Sequence, residues 1–400
     1  ILAQVLRGCG QESAMGCNTS AAHTAAATAR RRLSVDYVED LNEHERIELT
    51  EEDRGLVTNL NQQAILEILA SNTGGRKMSI GSRTDDDLNN KESFGEKCLE
   101  KLGDDITHPG IGYVCKKGLK PESPNQDSWF ILKIDDGYSI YAVFDGHGQT
   151  GHDISQFVKD QLIKLIIKDK RFKTDETAAM LRDCFKKCQS LVSISTRQNQ
   201  LNAKMSGTTA TVIVHDLGAR KITVAHVGDS SAVLLKRANR DDSSLIAVPL
   251  TREHKPGLQD EKARIEKAGG CVVFDNYANY RVYAKGYKYP GLNMSRCIGD
   301  LVGHQRCGIT ADPEVYEHTL GDEDHMLLLC SDGVWEFITA MQAAEIVSPF
   351  GPSQAVQAAE TLAKASWDRW IREEGGEVVD DITAILVYFN PGGDSEVMRP

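Results

Sequence analysis

Short apolar segments separated by only a few residues constrain this chain more than any other feature, because strands joined by a tight turn pair antiparallel. Residues 128–134, 138–144, 209–215, 221–227, 231–235, 325–330 and 383–389 read as such strands. The turns Asp216-Leu217-Gly218 and Gly228-Asp229 predict that 221–227 pairs antiparallel with both 209–215 and 231–235. Helical periodicity marks the longer segments 152–167, 177–195, 260–268 and 353–372. In the last of these, Ala355, Ala359, Leu362 and Trp370 share a face, with Val356, Ala363 and Trp367 beside it, as expected of a helix lying on a sheet. Strands grouped apart from helices predict a layered α+β fold rather than a doubly wound parallel sheet.

Composition shifts near residue 105. Upstream, 21–29 is Ala-rich, Arg30, Arg31 and Arg32 form a basic run, and 71–90 is rich in Gly, Ser, Asp and Asn. Residues 1–105 therefore read as an extension of linkers, with a short helix or two within 35–70, and 106–393 as the main domain. Within it, 251–299 has few regular strands and reads as an irregular flap, and 394–400 is a tail. The chain carries 46 basic and 58 acidic side chains, a net charge of -12, so no overall basic field attracts nucleic acid. Its 10 cysteines form no CxxC pair and the start shows no secretory signal, so reduced thiols in the cytosol or nucleus are expected, with a cytoplasmic location taken as the reading.

Chemistry points to strand ends. An apolar run closes in Asp145-Gly146-His147-Gly148, and another in Ser331-Asp332-Gly333. A third strand opens with Asp380-Asp381-Ile382-Thr383. Converging, these carboxylates with an unshielded glycine carbonyl would suit hard divalent cations; apart, they are surface turns. Gly146, Gly148 and Gly151 also satisfy G-x-G-x-x-G, but Asp145 would oppose a pyrophosphate and no ribose-binding strand follows. No Cys is followed at the right spacing by the Arg of a cysteine-based phosphatase. Cys184 and Cys188, on one helix face, and His226 and His254 read as packing residues rather than ligands.

These residues, with Pro124-Asn125-Gln126-Asp127, Ser206-Gly207-Thr208-Thr209-Ala210, Val227-Gly228-Asp229-Ser230, His254-Lys255-Pro256, Ser295-Arg296 and Gly299-Asp300, closely resemble the metal-dependent serine/threonine phosphatases of type 2C. The resemblance spans roughly 106–390 and implies a four-layer α-β-β-α sandwich with two central antiparallel sheets. It further implies two Mg2+ or Mn2+ ions held by Asp145, the Gly146 carbonyl, Asp332 and Asp380, with a third, weaker ion through Asp229. A hydroxide shared by the two ions would attack phosphoserine or phosphothreonine of protein substrates directly. By the same resemblance His147 is the general acid, Asp127 lies near the nucleophilic water, Thr209 lines the mouth, and 273–292 helps select substrate.

This chain departs from the family pattern in places. The arginine that grips phosphate in many relatives is missing from Cys115-Lys116-Lys117-Gly118-Leu119-Lys120-Pro121-Glu122, which leaves Lys117 or Lys120 as a point charge. Gln126 replaces a frequent glutamate, and Glu336 a frequent aspartate. The competing expectation is a phosphatase-like module with lost catalysis, acting as a binding or regulatory partner. Separately, Met15-Gly16-Cys17-Asn18-Thr19-Ser20 fits N-myristoylation if translation begins at Met15. With Cys17 palmitoylated and Arg30 to Arg32 on acidic lipid, an otherwise cytoplasmic monomer would be held at a membrane surface.

Overall fold

The computed structural model describes residues 77–84, 92–103, 109–120, 124–134, 137–237, 244–276 and 278–389. In chain order the strands are β1 (Lys77–Ser82), β2 (Leu99–Gly103), β3 (Ile111–Lys116), β4 (Asp127–Ile134), β5 (Tyr138–His147), β6 (Gly207–Thr208), β7 (Ala210–Asp216), β8 (Lys221–Val227) and β9 (Ser231–Arg237). They continue as β10 (Leu245–Pro249), β11 (Gly270–Phe274), β12 (Tyr280–Ala284), β13 (Pro290–Leu292), β14 (Ile298–Gly299), β15 (Glu314–Thr319), β16 (Asp324–Cys330) and β17 (Ile382–Tyr388). The helices are α1 (Gly151–Lys168), α2 (Thr177–Arg197), α3 (Gln259–Lys267), α4 (Leu301–Cys307), α5 (Asp332–Trp335), α6 (Ala340–Val347) and α7 (Ala355–Glu373).

Two antiparallel sheets dominate: β15-β8-β7-β5-β4-β1-β2, with β6 and β14 attached, and β10-β9-β16-β17-β3. Period-two burial assigns their faces. On β4, Trp129 and Ile131 join one apolar cluster while Phe130 and Leu132 join another. On β16, Leu327 and Leu329 enter the cluster of Trp129, whereas Met326 and Leu328 face the opposite way. The shared cluster is therefore the seam between the sheets. The outer cluster of the first sheet is completed by α1 and α2, and that of the second by α6 and α7, which gives the four layers helix, sheet, sheet, helix.

Four details differ from the sequence expectations. The first sheet starts upstream of residue 106: β1 pairs with β4 and β2 with β1. Gly228-Asp229 closes no hairpin, since β8 pairs with β7 and β15 while β9 pairs with β10 and β16. The chain instead crosses between sheets there, with Gly228 at φ +97° and no room for a Cβ, which would lie 2.5 Å from the Thr209 methyl. The flap carries α3 and a three-stranded antiparallel sheet, β11-β12-β13. On α7, Ala355, Ala359, Leu362, Ala363 and Trp370 are buried as expected, but Val356 is 45% exposed. The helix predicted within 35–70, together with Gly16, Cys17 and the 394–400 tail, lies outside the described residues.

Candidate metal centre

Each sheet brings acidic residues to one end of the seam. In the first, Asp127 opens β4 and is the register partner of Asp145 on β5. Beyond Asp145 the strand turns to pair with β6, Gly146 facing Thr208 and His147 facing Gly207. Gly146 is packed backbone to backbone, so that a Cβ would come within 2.3 Å of the Gly151 carbonyl and 2.6 Å of the Gln126 carbonyl. No other residue fits that approach. Thr209 fixes Asp145 from the side: its hydroxyl accepts from the Asp145 N–H at 2.9 Å and meets the Ser230 hydroxyl at 2.7 Å. Fully buried, Thr209 braces the strand end instead of lining an open mouth.

In the second sheet β16 ends at Cys330, Ser331 caps the turn, and Asp332 begins α5. Asp380 and Asp381 precede β17, whose Ala384 is the register partner of Cys330, so Asp332 and Asp380 share one sheet end. Gly333 packs against β17 so closely that a Cβ would lie 1.9 Å from the Asp381 carbonyl oxygen. From behind, the Trp370 indole of α7 donates to the Gly333 carbonyl at 2.8 Å.

Hydrogen bonds stitch the two ends together. The hydroxyls of Ser331 and Thr383, from the second sheet, donate to one carboxylate oxygen of Asp127 in the first, at 2.9 and 2.6 Å. Asp381 accepts from the Gly118 and Gln126 amides at 2.7 and 2.8 Å, tying the exit of β3 to the entry of β4. Of the adjacent aspartates, Asp381 is thus spent on backbone and Asp380 is left to the cleft. Lys97, buried, donates to the main-chain oxygens of Asn125 and Asp127.

The electrostatics confirm that the carboxylates meet. Burial first, then Asp332, Asp127, Asp380 and Asp229, hold the Asp145 carboxyl well above the usual range. Burial, then Asp380 and Asp229, do the same to Asp332. Asp127 is pushed up to about 7 by burial and next by Asp381. One carboxylate oxygen each of Asp127, Asp229 and Asp332 is buried without a hydrogen-bond partner. Crowded, desolvated carboxylates with unused lone pairs are what divalent cations with oxygen ligands satisfy, and the residues fit such a group.

Asp229, delivered by the sheet crossing, is 1% exposed and pairs with the Lys255 ammonium at 2.6 Å. Lys120 pairs with Asp380. Lys117, by contrast, is buried and donates to the Lys120 carbonyl at 2.8 Å, so of the two lysines Lys120 is the one on a site carboxylate. His147 meets Asp300 at 2.5 Å. Burial opposes its charge, but Asp300 outweighs burial and raises the imidazole above its ordinary value.

His226 and His254 stack with centroids 4.4 Å apart and planes at 7°. Their lone pairs point in parallel planes, which a single ion cannot share, although Glu314 lies beside them. Cys184 and Cys188 are core residues beneath the first sheet. Lys97, Ser331, Thr383 and Lys255 carry no role from sequence reading. The doubled Asp380-Asp381 is the one visible hint that an acid there serves the scaffold, and Asp300, present in the Gly299-Asp300 pair, has a partner only in three dimensions.

Comparison with known proteins agrees with this geometry. The family described as protein phosphatase 2C matches residues 123–370. "Probable protein phosphatase 2C 73" of Arabidopsis thaliana is 30% identical over 333 residues, covering 75% of this chain and 87% of that protein. "Probable protein phosphatase 2C 48" of Oryza sativa subsp. japonica is 31% identical over 293 residues, covering 66% and 80%. The crystal structure of serine-threonine phosphatase 2C from Toxoplasma gondii shares the fold at TM-score 0.59, with 20% identity over 71% of this chain and 96% of that one. With the family matched over most of the domain and its acidic strand ends convergent, the chain belongs to the protein phosphatase 2C family.

Proposed function

We propose that this phosphatase hydrolyses phosphoserine and phosphothreonine of protein substrates by direct transfer to water at a site for two Mg2+ or Mn2+ ions. The observation that carries this reading is the meeting of Asp145, Asp332 and Asp380, drawn from two sheets, in a cluster where Asp332 and Asp380 both raise the proton affinity of Asp145 and Asp380 raises that of Asp332. Asp145, the Gly146 carbonyl, Asp332 and Asp380 would hold the ions, which when bound supply a hydroxide nucleophile at neutral pH and positive charge against the phosphoryl oxygens. Asp127, kept in place by Ser331 and Thr383, offers its unpartnered oxygen toward the nucleophile's proton. His147, whose proton affinity Asp300 raises against the effect of burial, stands as general acid for the leaving alkoxide. Lys120, two residues before Glu122 in the segment that lacks the arginine of many relatives, is paired with Asp380. With Asp229 committed to Lys255, a third ion would have to displace that ammonium.

Phosphate release from a phosphoserine peptide, with and without Mn2+, tests the reading alongside an Asp332→Asn protein. Metal-dependent release that the substitution abolishes is expected. Absence of release by the unmutated chain would favour a phosphatase-like binding module. We also propose, from sequence alone, acylation at Gly16 and Cys17 of a cytoplasmic monomer; an unmodified Gly16 terminus in cells, read by mass spectrometry, would refute the lipid anchor.

A further inference from the structure

Lys120 stands at the junction of two needs. It follows Gly118, where the chain leaves β3, and its ammonium rests on the Asp380 carboxylate. Neither partner is deeply covered, with 29% and 26% of the side chains exposed. The cluster has an excess of acid: among the described residues, Asp127, Asp145, Asp229, Asp332, Asp380 and Asp381 are set against the ammonium groups of Lys97, Lys120 and Lys255. Of these three, Lys97 is buried and committed to main-chain oxygens, and Lys255 is held by fully buried Asp229. Lys120 alone pairs with a carboxylate of the proposed ligand set, and a lysine is a point charge on a flexible stem that can leave one anion for another.

We propose that Lys120 is an exchangeable counter-ion: its ammonium occupies Asp380 until divalent metal loads, and metal binding releases it to grip the substrate phosphate. The inference rests on the two-ion reading above. Ammonium and metal compete for one carboxylate, so every loading event must expel a positive charge that the cluster otherwise holds. Once Asp380 is neutralised, the nearest large negative charge is the dianionic phosphoryl group, and the stem of Lys120 is anchored at the cleft edge by Gly118. A Cβ at Gly118 would meet the Val379 carbonyl at 2.3 Å, so that anchor is tight. The arrangement gives this chain a phosphate contact without an arginine fork, available only when metal is present.

The test uses metal-stripped full-length protein and calorimetric titration with Mn2+ alone, which needs no turnover. Lys120→Met keeps the stem and removes the charge. Its Mn2+ affinity is expected to rise by roughly tenfold or more, because a unit charge at ~4 Å in an effective dielectric of ~20 outweighs a tenfold change. With Mn2+ bound, its affinity for inorganic phosphate is expected to fall, while Lys120→Arg keeps both properties near those of the unmutated chain. Unchanged or weaker Mn2+ binding by Lys120→Met and by a second variant, Lys120→Gln, would overturn the exchange. Failure of the unmutated chain to bind Mn2+ would overturn the two-ion reading itself, and a fall in phosphate affinity without a change in Mn2+ affinity would leave Lys120 a fixed phosphate ligand and refute its displacement.

Discussion

Asp127 offers the sharpest test of the cluster's electrostatics. In the metal-free fold its carboxyl is held to about 7, against 3.8 for an ordinary aspartate, because it is buried and faces Asp381. The fold therefore keeps a proton that the unfolded chain has already released, and stability present at low pH is lost as pH rises through the interval between those two values. The full effect of that shift is roughly 4 kcal/mol, and about 2 kcal/mol of it falls between about pH 5.5 and about pH 7.5. Two histidines, the buried His215 and the half-buried His304, both pulled down to about 4 by desolvation, add stability in the opposite sense as pH rises. A raw pH profile mixes these contributions. Asp127→Asn isolates one of them: it removes the titration while leaving an acceptor for Ser331 and Thr383. The new amide costs a constant amount for its unpaired N–H, so the informative quantity is the change in the difference with pH. Denaturant unfolding of both metal-free proteins at the two pH values should show the variant gaining about 2 kcal/mol relative to the unmutated chain at the higher pH. Saturating Mn2+ should remove most of that gain, since bound cations favour the carboxylate. A difference that stays constant from the lower to the higher pH would refute the raised Asp127 carboxyl and, with it, the picture of a charge-crowded seam.

Other consequences are equally direct. Gly333→Ala places a Cβ 1.9 Å from the Asp381 carbonyl, a backbone atom that cannot rotate away, so a loss of about 3 kcal/mol is expected in thermal or denaturant melts. An unaltered melt would contradict the close packing of α5 on β17. Asp300→Asn keeps a hydrogen-bonding group beside His147 but removes the charge that outweighs burial, so the His147 ring should titrate at lower pH when followed by NMR. Replacing the exposed flap residues Val273 and Phe274, 49% and 42% exposed, with serine should raise KM for a phosphopeptide while sparing hydrolysis of a small aryl phosphate. Equal effects on both substrates would remove the flap from substrate selection.

What was legible in the sequence, and what was not, divides along a physical line. The central strands β4 and β16 are legible as short apolar runs, because both their faces are buried and such a run needs only the strand's own residues. Strand β1 and the edge strand β2 are flanked by polar text, and β2 has a surface-facing pattern with Leu99 46% exposed; their pairing comes from β4 supplying a partner to β1 and β1 to β2, not from local preference. Gly228-Asp229 shows the same limit. A glycine with positive φ beside an aspartate suits a hairpin and a sheet crossing equally, and only the close approach to Thr209 tells which.

The site repeats this division at the scale of single charges. Carboxylates at strand ends are visible because a strand's termination is local, and Asp145, Asp332 and Asp380 do converge. Which of two neighbouring acids, or two nearby lysines, faces the cleft is decided by bonds between segments more than 200 residues apart, such as Gly118 and Gln126 to Asp381. Those bonds explain why adjacent Asp380 and Asp381 are not redundant: without the Asp381 carboxylate two amides lose their acceptor, and Asp380, paired with Lys120, does not supply one. An acid spent on the scaffold is therefore what leaves the acid beside it free as a proposed metal ligand, and a chain that kept only one aspartate here would give up either the seam contact or that free carboxylate.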